Sequence, residues 1–246
     1  MKPLDMLLVI DVGNTRTKWA VFNTDGQIAS KGLSFNADLL AAPAAWQGCQ
    51  RAIVANVAGE PMAQNLSTLL ANLPVTWAKS EAQTSSLNNH YQAPEKLGID
   101  RWAALVAAFD RYQNSPCLVV NAGTALTIDA IHQQAFIGGL IAPGLNMLMQ
   151  GFNAQTASVN AAGGVYQAFP KNTADASYSG ALNAMAGAVL LQFKQLQALS
   201  AEMPALLLTG GDAALLQPVL NAQGLNPNLV EDLVLQGLYL IEGAKP

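Results

Sequence analysis

The fold is decided by the stretch Asp11-Val12-Gly13-Asn14-Thr15-Arg16-Thr17-Lys18, which directly follows an apolar run at residues 7–10. An apolar run of strand length that stops at such a turn and leads into a second β-rich run, residues 17–22, predicts a β-hairpin. A turn signal at residues 23–26 predicts a return strand over residues 27–35. The chain is therefore predicted to open with a meander of three strands.

A second stretch of the same kind, Asn121-Ala122-Gly123-Thr124-Ala125, follows the apolar run at residues 117–120. Predicted strands at residues 125–131 and 135–141 complete a second meander, so the two stretches occupy equivalent places in similar segments. Repetition at so long an offset indicates a duplicated domain and not a solenoid.

The remaining apolar periodicity predicts an α/β fold with two similar halves and a cleft between them. A boundary is expected before Pro116, which divides the chain into domains of residues 1–115 and 116–246. Helices are predicted over residues 39–45, 62–73, 101–112, 145–152, 174–199, 213–223 and 233–242. Further strands are predicted over residues 52–58, 75–77, 205–208 and 229–230.

Composition excludes several classes of protein. Of the 246 residues 51% are hydrophobic, which excludes a disordered chain, and a net charge of -4 gives no support for binding nucleic acid. The two cysteines form no C-x-x-C pair, so neither a disulfide framework nor a zinc site is predicted. The first residues do not resemble a signal peptide and no apolar run reaches 18 residues, so we expect no membrane segment and a cytoplasmic location.

The two strand–turn–strand stretches are suited to hold phosphate groups. Gly13 lets the backbone approach a ligand closely, and the main-chain amides of such a turn converge on an anion. Lys18 adds a cation, and the plausible task of Asp11 is to hold Mg²⁺. A single turn of this sequence is equally compatible with an ordinary hairpin, and the presence of two at matching positions favours phosphate binding. No P-loop motif and no dinucleotide fingerprint occurs in the chain.

The segment Gly98-Ile99-Asp100-Arg101 is the other candidate for chemistry. Asp100 stands where a helix is predicted to begin, so it is either an N-cap or, beside a substrate-binding arginine, a general base. Arg101 is able to bind a carboxylate through two hydrogen bonds. Tyr91, in the polar stretch before this segment, is by default a surface anchor.

Taken together, these motifs resemble those of type III pantothenate kinases. Residues 11–18 are similar to the first phosphate motif of that family, residues 98–101 to its Gly-x-Asp-Arg motif, and residues 121–129 to its second phosphate motif. Residues 138–144 and the pair Asn172-Thr173 with Gly180 also match in order. The resemblance extends from residue 7 to about residue 240.

The resemblance implies two ribonuclease-H-like domains of the acetate and sugar kinase, heat-shock protein and actin superfamily, which enclose a nucleotide. It implies that ATP phosphorylates the 4'-hydroxyl of pantothenate, the first step of coenzyme A synthesis, with Asp100 as general base. The residues implied to bind ATP are Asp11, Val12, Gly13, Asn14, Thr15, Arg16, Thr17, Lys18 and Thr124. The residues implied to bind pantothenate are Tyr91, Gly98, Ile99, Asp100, Arg101 and Thr173.

The resemblance also implies Mg²⁺, held by Asp11 with a lesser part for Asp129, and a monovalent cation, K⁺ or NH₄⁺. Asn121 departs from the family pattern here, because the family commonly has an aspartate that binds this cation at that position. A homodimer is expected, both from the family and because predicted helices 101–112 and 174–199 are rich in alanine and apolar residues.

Two alternatives remain at this point. One is another kinase of the same superfold that acts on a sugar or a carboxylic acid, against which the segment 98–101 argues. The other is a non-catalytic, ATP-binding transcription accessory protein, against which the acidic composition and the presence of Asp11, Lys18 and Asp100 argue.

Overall fold

The computed structural model of the chain describes residues 6–39, 41–113, 115–155 and 163–243, with the side chains of residues 152–155 left out. The strands in chain order are β1 (Leu7–Val12), β2 (Arg16–Phe22), β3 (Ile28–Phe35), β4 (Arg51–Asn56), β5 (Val75–Trp77), β6 (Gln83–Thr84), β7 (Leu87–Asn89), β8 (Cys117–Ala122), β9 (Ala125–His132), β10 (Ala135–Pro143), β11 (Ala205–Thr209) and β12 (Asn228–Leu229). The α-helices are α1 (Glu60–Leu69), α2 (Ile99–Tyr112), α3 (Leu145–Gln155), α4 (Thr173–Ser200), α5 (Ala213–Ala222) and α6 (Leu233–Gly243).

The chain forms two compact units. Unit 1 comprises the chain up to Arg111 together with the chain from Asp232 onward, and unit 2 comprises Tyr112–Glu231. The chain passes from unit 1 to unit 2 after Arg111, close to the boundary predicted before Pro116. The predicted second domain, residues 116–246, differs from unit 2 because the segment that contains α6 belongs to unit 1.

Unit 1 contains a sheet in the order β3-β2-β1-β4-β5. The predicted meander is present, with β1 antiparallel to β2 and β2 antiparallel to β3, whereas β4 and β5 extend the sheet in parallel with β1. Alternate residues of β1 (Leu8, Ile10 and Val12) pack with Leu66 of α1. Because α6 also packs against β1, this strand is covered on both faces, which explains its continuous apolar run.

Unit 2 repeats this arrangement. Its strands run β10-β9-β8-β11-β12, with an antiparallel meander followed by two parallel strands, as in unit 1. One face of β8 and β9 packs against the long helix α4, and Leu118, Ile128 and Val189 lie in this core. The shared strand order confirms the predicted duplication and the α/β, ribonuclease-H-like class. No helix of the described segments is long and apolar enough to cross a membrane.

Helix α6 joins unit 1 through close packing, ring stacking and an ion pair. A Cβ atom placed on Gly237 would lie 1.8 Å from the carbonyl oxygen of Ala103 in α2, so only glycine allows this approach of the two helices. Arg51 of β4 binds Glu242 at 2.9 Å, and Tyr239 stacks on Phe22 with ring centroids 4.6 Å apart. These contacts join α6 to unit 1 although α6 follows unit 2 in the sequence.

The helix predicted over residues 39–45 is wrong. The described residues there form two short 3-10 turns, Asn36–Asp38 and Ala44–Trp46, and Leu40 lies outside the described residues. Pro43 disfavours the helical conformation of the residue before it and cannot donate a main-chain hydrogen bond. An α-helix is therefore interrupted at this position.

Candidate active site

The turn between β1 and β2 places the first predicted phosphate motif at the end of two strands. Asp11 and Lys18 lie directly opposite each other in the antiparallel ladder, which brings their side chains to the same face of the sheet. The Gly13 amide donates to the Arg16 carbonyl at 3.0 Å and closes the turn, while Asn14 and Thr15 are exposed at its tip. The turn therefore presents main-chain amides beside a lysine and a carboxyl group.

The side chains of Val12 and Thr17 in this motif are buried in the protein. Val12 is fully buried in the core, so any contact of Val12 with a ligand must come from its main chain. Thr17 is also fully buried, and its hydroxyl donates a hydrogen bond of 2.9 Å to Oδ1 of Asn36. Asn36 is a residue that sequence reasoning missed, because an asparagine after an edge strand carries no distinctive pattern. Arg16 is exposed and lies over the ring of Phe35 at 5.0 Å.

Asp100 lies in the first turn of α2 and is not its N-cap. The carbonyl of Gly98 accepts the hydrogen bond of the Trp102 amide at 3.0 Å, so Gly98 holds the capping position and Asp100 is the second helical residue. A Cβ atom on residue 98 would lie 2.6 Å from Oδ1 of Asp100, which means that the carboxyl group folds back over the glycine. The N-cap interpretation is therefore wrong, and the carboxyl group of Asp100 is available for another task.

The structure places Asp100 close enough to the turn between β1 and β2 for its charge to act on Asp11. The pKa of Asp11 is raised from 3.8 to about 7, first because Asp11 is buried and then because the negative charge of Asp100 is near, with Lys18 acting in the opposite direction. The charges of Lys18 and Asp100 thus both act on Asp11 near the end of β1. Two carboxyl groups that disfavour each other's charge are stabilised by a cation, and their oxygen donors fit Mg²⁺. No group of three His, Cys, Asp or Glu side chains that could hold a metal ion occurs among the residues described.

The residues predicted to bind pantothenate in unit 1 lie on both sides of Gly98. Arg101 is buried with 7% of its surface exposed, Ile99 is a core residue, and Tyr91 is exposed just after β7. The indole of Trp102 donates to the hydroxyl of Thr84 at 3.0 Å, which fixes the start of α2 to the β6–β7 hairpin. The segment that carries Asp100 is thereby held on a rigid support.

In unit 2, the second predicted phosphate motif forms the turn between β8 and β9. The Gly123 amide donates to the Ala125 carbonyl at 3.1 Å, and Thr124 is exposed at the tip, as in the first turn. Oδ1 of Asn121 lies against Gly210, where a Cβ atom would be only 2.6 Å from it. Gly210 has a φ of +104°, a conformation that glycine adopts without strain.

The other two predicted residues of unit 2 lie apart from this turn in the sequence. Asp129 is buried in the middle of β9, where it pairs with Val119 of β8. Thr173 is exposed as the first residue of α4, directly after the N-cap Asn172, whose side chain accepts a hydrogen bond from the Asp175 amide at 2.9 Å.

Two ribonuclease-H-like units, each with a Gly-containing turn after its first strand, define the class: the acetate and sugar kinase, heat-shock protein and actin fold. Component A of the (R)-2-hydroxyglutaryl-CoA dehydratase of Acidaminococcus fermentans shares the fold with a TM-score of 0.53 and 13% identity, over 97% of this chain and 98% of its own. A conserved Campylobacter jejuni protein, placed by name in the Baf family of transcriptional activators, matches with a TM-score of 0.61 and 23% identity over 96% and 98% of the two chains. Likeness at these identities shows the fold alone.

Sequence comparison decides the family. The chain belongs to the type III pantothenate kinase family, whose model matches residues 7–195. A type III pantothenate kinase of Methylobacillus flagellatus is 43% identical over 254 residues, which span 99% of this chain and 100% of that protein. One of Thiobacillus denitrificans is 42% identical over 240 residues, which span 96% of each. The resemblance expected from the motifs is confirmed.

Proposed function

We infer that this chain catalyses the ATP-dependent phosphorylation of pantothenate to 4'-phosphopantothenate, the first step of coenzyme A synthesis. The observation that carries the site assignment is that the charge of Asp100, from α2, acts on Asp11, which lies opposite Lys18 beside the turn. The sugar-kinase and accessory-protein alternatives are not favoured, because relatives that match nearly the full chain are named as type III pantothenate kinases.

Asp100 is the proposed general base. It accepts the proton of the 4'-hydroxyl while that oxygen forms a bond to the γ-phosphorus of ATP and the bond from phosphorus to the ADP oxygen breaks. The proton then passes to solvent from Asp100. Phosphoryl transfer depends mainly on positioning and charge stabilisation, so a base that contributes about 10²- to 10⁴-fold completes a site whose charges are already arranged.

Lys18 and the exposed tip of the turn are proposed to bind the phosphates of ATP. The amides and side chains of Asn14 and Thr15 lie at this tip, and Arg16 and Thr124 are proposed to add contacts. Gly13 allows the close approach, and Val12 contributes through its main chain only because its side chain is in the core. Thr17 acts from inside the turn through its bond to Asn36.

We propose that Mg²⁺ binds together with ATP and that Asp11 coordinates it, directly or through water. When bound, it neutralises phosphate charge that accumulates during the transfer. The raised pKa of Asp11 supports this role, since a carboxyl group whose charge is disfavoured by burial and by Asp100 gains most from a neighbouring cation.

Pantothenate is proposed to bind beside Asp100. The guanidinium of Arg101 suits the carboxylate of pantothenate, and the backbone of Gly98 and Ile99 with the side chain of Tyr91 completes the contacts from unit 1. Thr173 is the proposed contribution of unit 2. We further propose that the enzyme works as a homodimer in the cytoplasm.

The experiment that tests the base is Asp100→Asn, measured as kcat for ATP- and pantothenate-dependent ADP release. The carboxamide has nearly the same shape as the carboxyl group and Asp100 is not the cap of α2, so we expect normal folding and a fall in kcat of at least ~10²-fold. The matched control is Glu60→Gln, which also removes a negative charge from the first turn of a helix and should leave kcat unchanged. If the Asp100→Asn enzyme has the same kcat as the parent, Asp100 is not the general base.

A further inference from the structure

We propose that Asn36 is a positioning residue for the phosphate turn, which sets the direction of the turn's main-chain amides toward ATP. The proposal rests on the proposed function of residues 11–18, and Asn36 itself contacts no reacting atom in it. Asn36 lies directly after β3, in a different strand connection from the turn that it holds.

The contacts of Asn36 reach three residues of the turn. Its Oδ1 accepts the hydroxyl of Thr17 at 2.9 Å, its Nδ2 donates to the carbonyl of Gly13 at 2.8 Å, and its main-chain amide donates to the carbonyl of Thr15 at 3.1 Å. The turn is thus fastened from within by one side chain and one amide. Asn36 is itself only partly exposed, so water competes little for these bonds.

Only a carboxamide can make the two side-chain bonds together. The buried Thr17 hydroxyl needs an acceptor, and the Gly13 carbonyl needs a donor, at the same place. An aspartate would offer acceptors alone, and an alanine would leave the Thr17 hydroxyl buried without its partner. The pairing therefore explains why Thr17 is a threonine although its hydroxyl faces inward.

These bonds fix the direction of the Asn14 amide. The peptide bond between Gly13 and Asn14 is trans and planar, so its N–H points away from its carbonyl oxygen. Because the Gly13 carbonyl points at Asn36, the Asn14 N–H points away from Asn36. Within the described part of the chain no residue accepts a hydrogen bond from the Asn14 amide, which leaves this donor for a phosphate oxygen.

The chain offers a matched control for a purely structural role. Asn23 also holds a turn of the same meander, at the opposite end of β2, where its Oδ1 accepts the amides of Asp25 at 3.1 Å and Gln27 at 2.8 Å. Both residues are asparagines that fasten a β-turn by two side-chain bonds. They differ in that only Asn36 fastens the turn that carries Asp11 and Lys18.

The test compares Asn36→Ala with Asn23→Ala in KM for ATP, KM for pantothenate, kcat, and the rise in Tm that ATP produces. Both variants should lose stability to a similar degree. Asn36→Ala should raise KM for ATP by about 10-fold or more and reduce the ATP-induced rise in Tm, because misdirected donors lose their bonds to phosphate. Its KM for pantothenate should stay within about twofold, and Asn23→Ala should change neither KM.

Lys18→Met separates this proposal from the function on which it rests. If Lys18→Met leaves KM for ATP unchanged, the turn is not the ATP site and the proposed function of residues 11–18 fails. If Lys18→Met raises KM for ATP while Asn36→Ala has the same KM for ATP as Asn23→Ala, the positioning role of Asn36 is overturned and the proposed function stands. Should Asn36→Ala fail to fold, Thr17→Val removes the hydrogen bond that orients the Asn36 carboxamide toward the Gly13 carbonyl, and an unchanged KM for ATP in that isosteric variant would equally overturn the proposal.

Discussion

Replacing Asp11 by Asn should make the protein more stable at pH 8 and leave its stability almost unchanged near pH 4. The pKa of the Asp11 carboxyl is raised from 3.8 to about 7 by burial and by the charge of Asp100, against the opposing effect of Lys18. Between these pH values the folded chain holds a proton that the unfolded chain releases, so the stability from this group is complete below pH 4 and is lost as the pH rises through about 7. Asparagine keeps the shape and has no charge to bury.

The size of the effect follows from the pKa values. Each pH unit over which the folded chain alone holds the proton changes the free energy of unfolding by about 1.4 kcal/mol, so the full range amounts to about 4 kcal/mol. This is an upper limit, because Asp11 is partly exposed and water screens part of its charge. Between pH 5.5 and pH 8 the variant should gain about 2 kcal/mol over the parent, which corresponds to about 4–8 °C in Tm for a chain of this length.

The assay is thermal unfolding by calorimetry at half-unit steps from pH 5.5 to pH 8, with the difference in Tm between variant and parent plotted against pH. Asp25→Asn is the control, because it makes the same substitution at a position that is exposed at the β2–β3 turn. A difference for Asp11→Asn that is flat over this range, or that favours the parent at pH 8, would refute the reasoning that burial and Asp100 disfavour the charged form of Asp11.

Three further predictions concern the cation, the assembly and the packing of α6. Asn121 brings no negative charge to a cation, which should weaken monovalent-cation binding by roughly 1 to 4 kcal/mol relative to an aspartate. Initial rates in sodium, potassium, ammonium and Tris buffers of equal ionic strength should therefore show weak or no K⁺ dependence, and Asn121→Asp should increase that dependence. A sub-millimolar K⁺ requirement of the parent enzyme would contradict this prediction. Light scattering should give about twice 25.8 kDa, and a monomer that stays fully active on dilution would contradict the dimer. Gly237→Ala should lower the free energy of unfolding by about 3 kcal/mol, because its Cβ would meet the Ala103 carbonyl at 1.8 Å. The control Gly243→Ala, in open space at the end of the same helix, should be neutral or slightly stabilising. Equal Tm changes in the two variants would show that the packing of α6 does not need Gly237.

The class of fold and the strands other than β6 and β7 could be read from the sequence because their signals are local. The first four residues of β1 and of β8 are apolar, as expected for strands that helices cover, and each strand stops at a Gly-containing turn that recurs in the other unit. The order of the motifs along the chain also indicated the family before any contact was known. Such signals depend on neighbouring residues and on side-chain periodicity, both of which are written in the sequence.

Tertiary structure decided the features that depend on residues far apart in the chain. Whether Asp100 caps α2 depends on which carbonyl accepts the Trp102 amide, and the sequence allowed either start of the helix. The pKa of Asp11 depends on a carboxyl group 89 positions away, and the role of Asn36 depends on a return strand that brings it back to Thr17.

The placement of α6 shows the same limit most plainly. Its apolar residues predicted a helix correctly, but every face of such a helix is suitable for burial, and nothing local says against which sheet it packs. That choice was made by Gly237 against Ala103 and by Glu242 against Arg51, pairs within unit 1 whose members lie far apart in the sequence. Sequence determined the elements and their chemistry, whereas the partners of each element were determined by close packing and charge pairing in three dimensions.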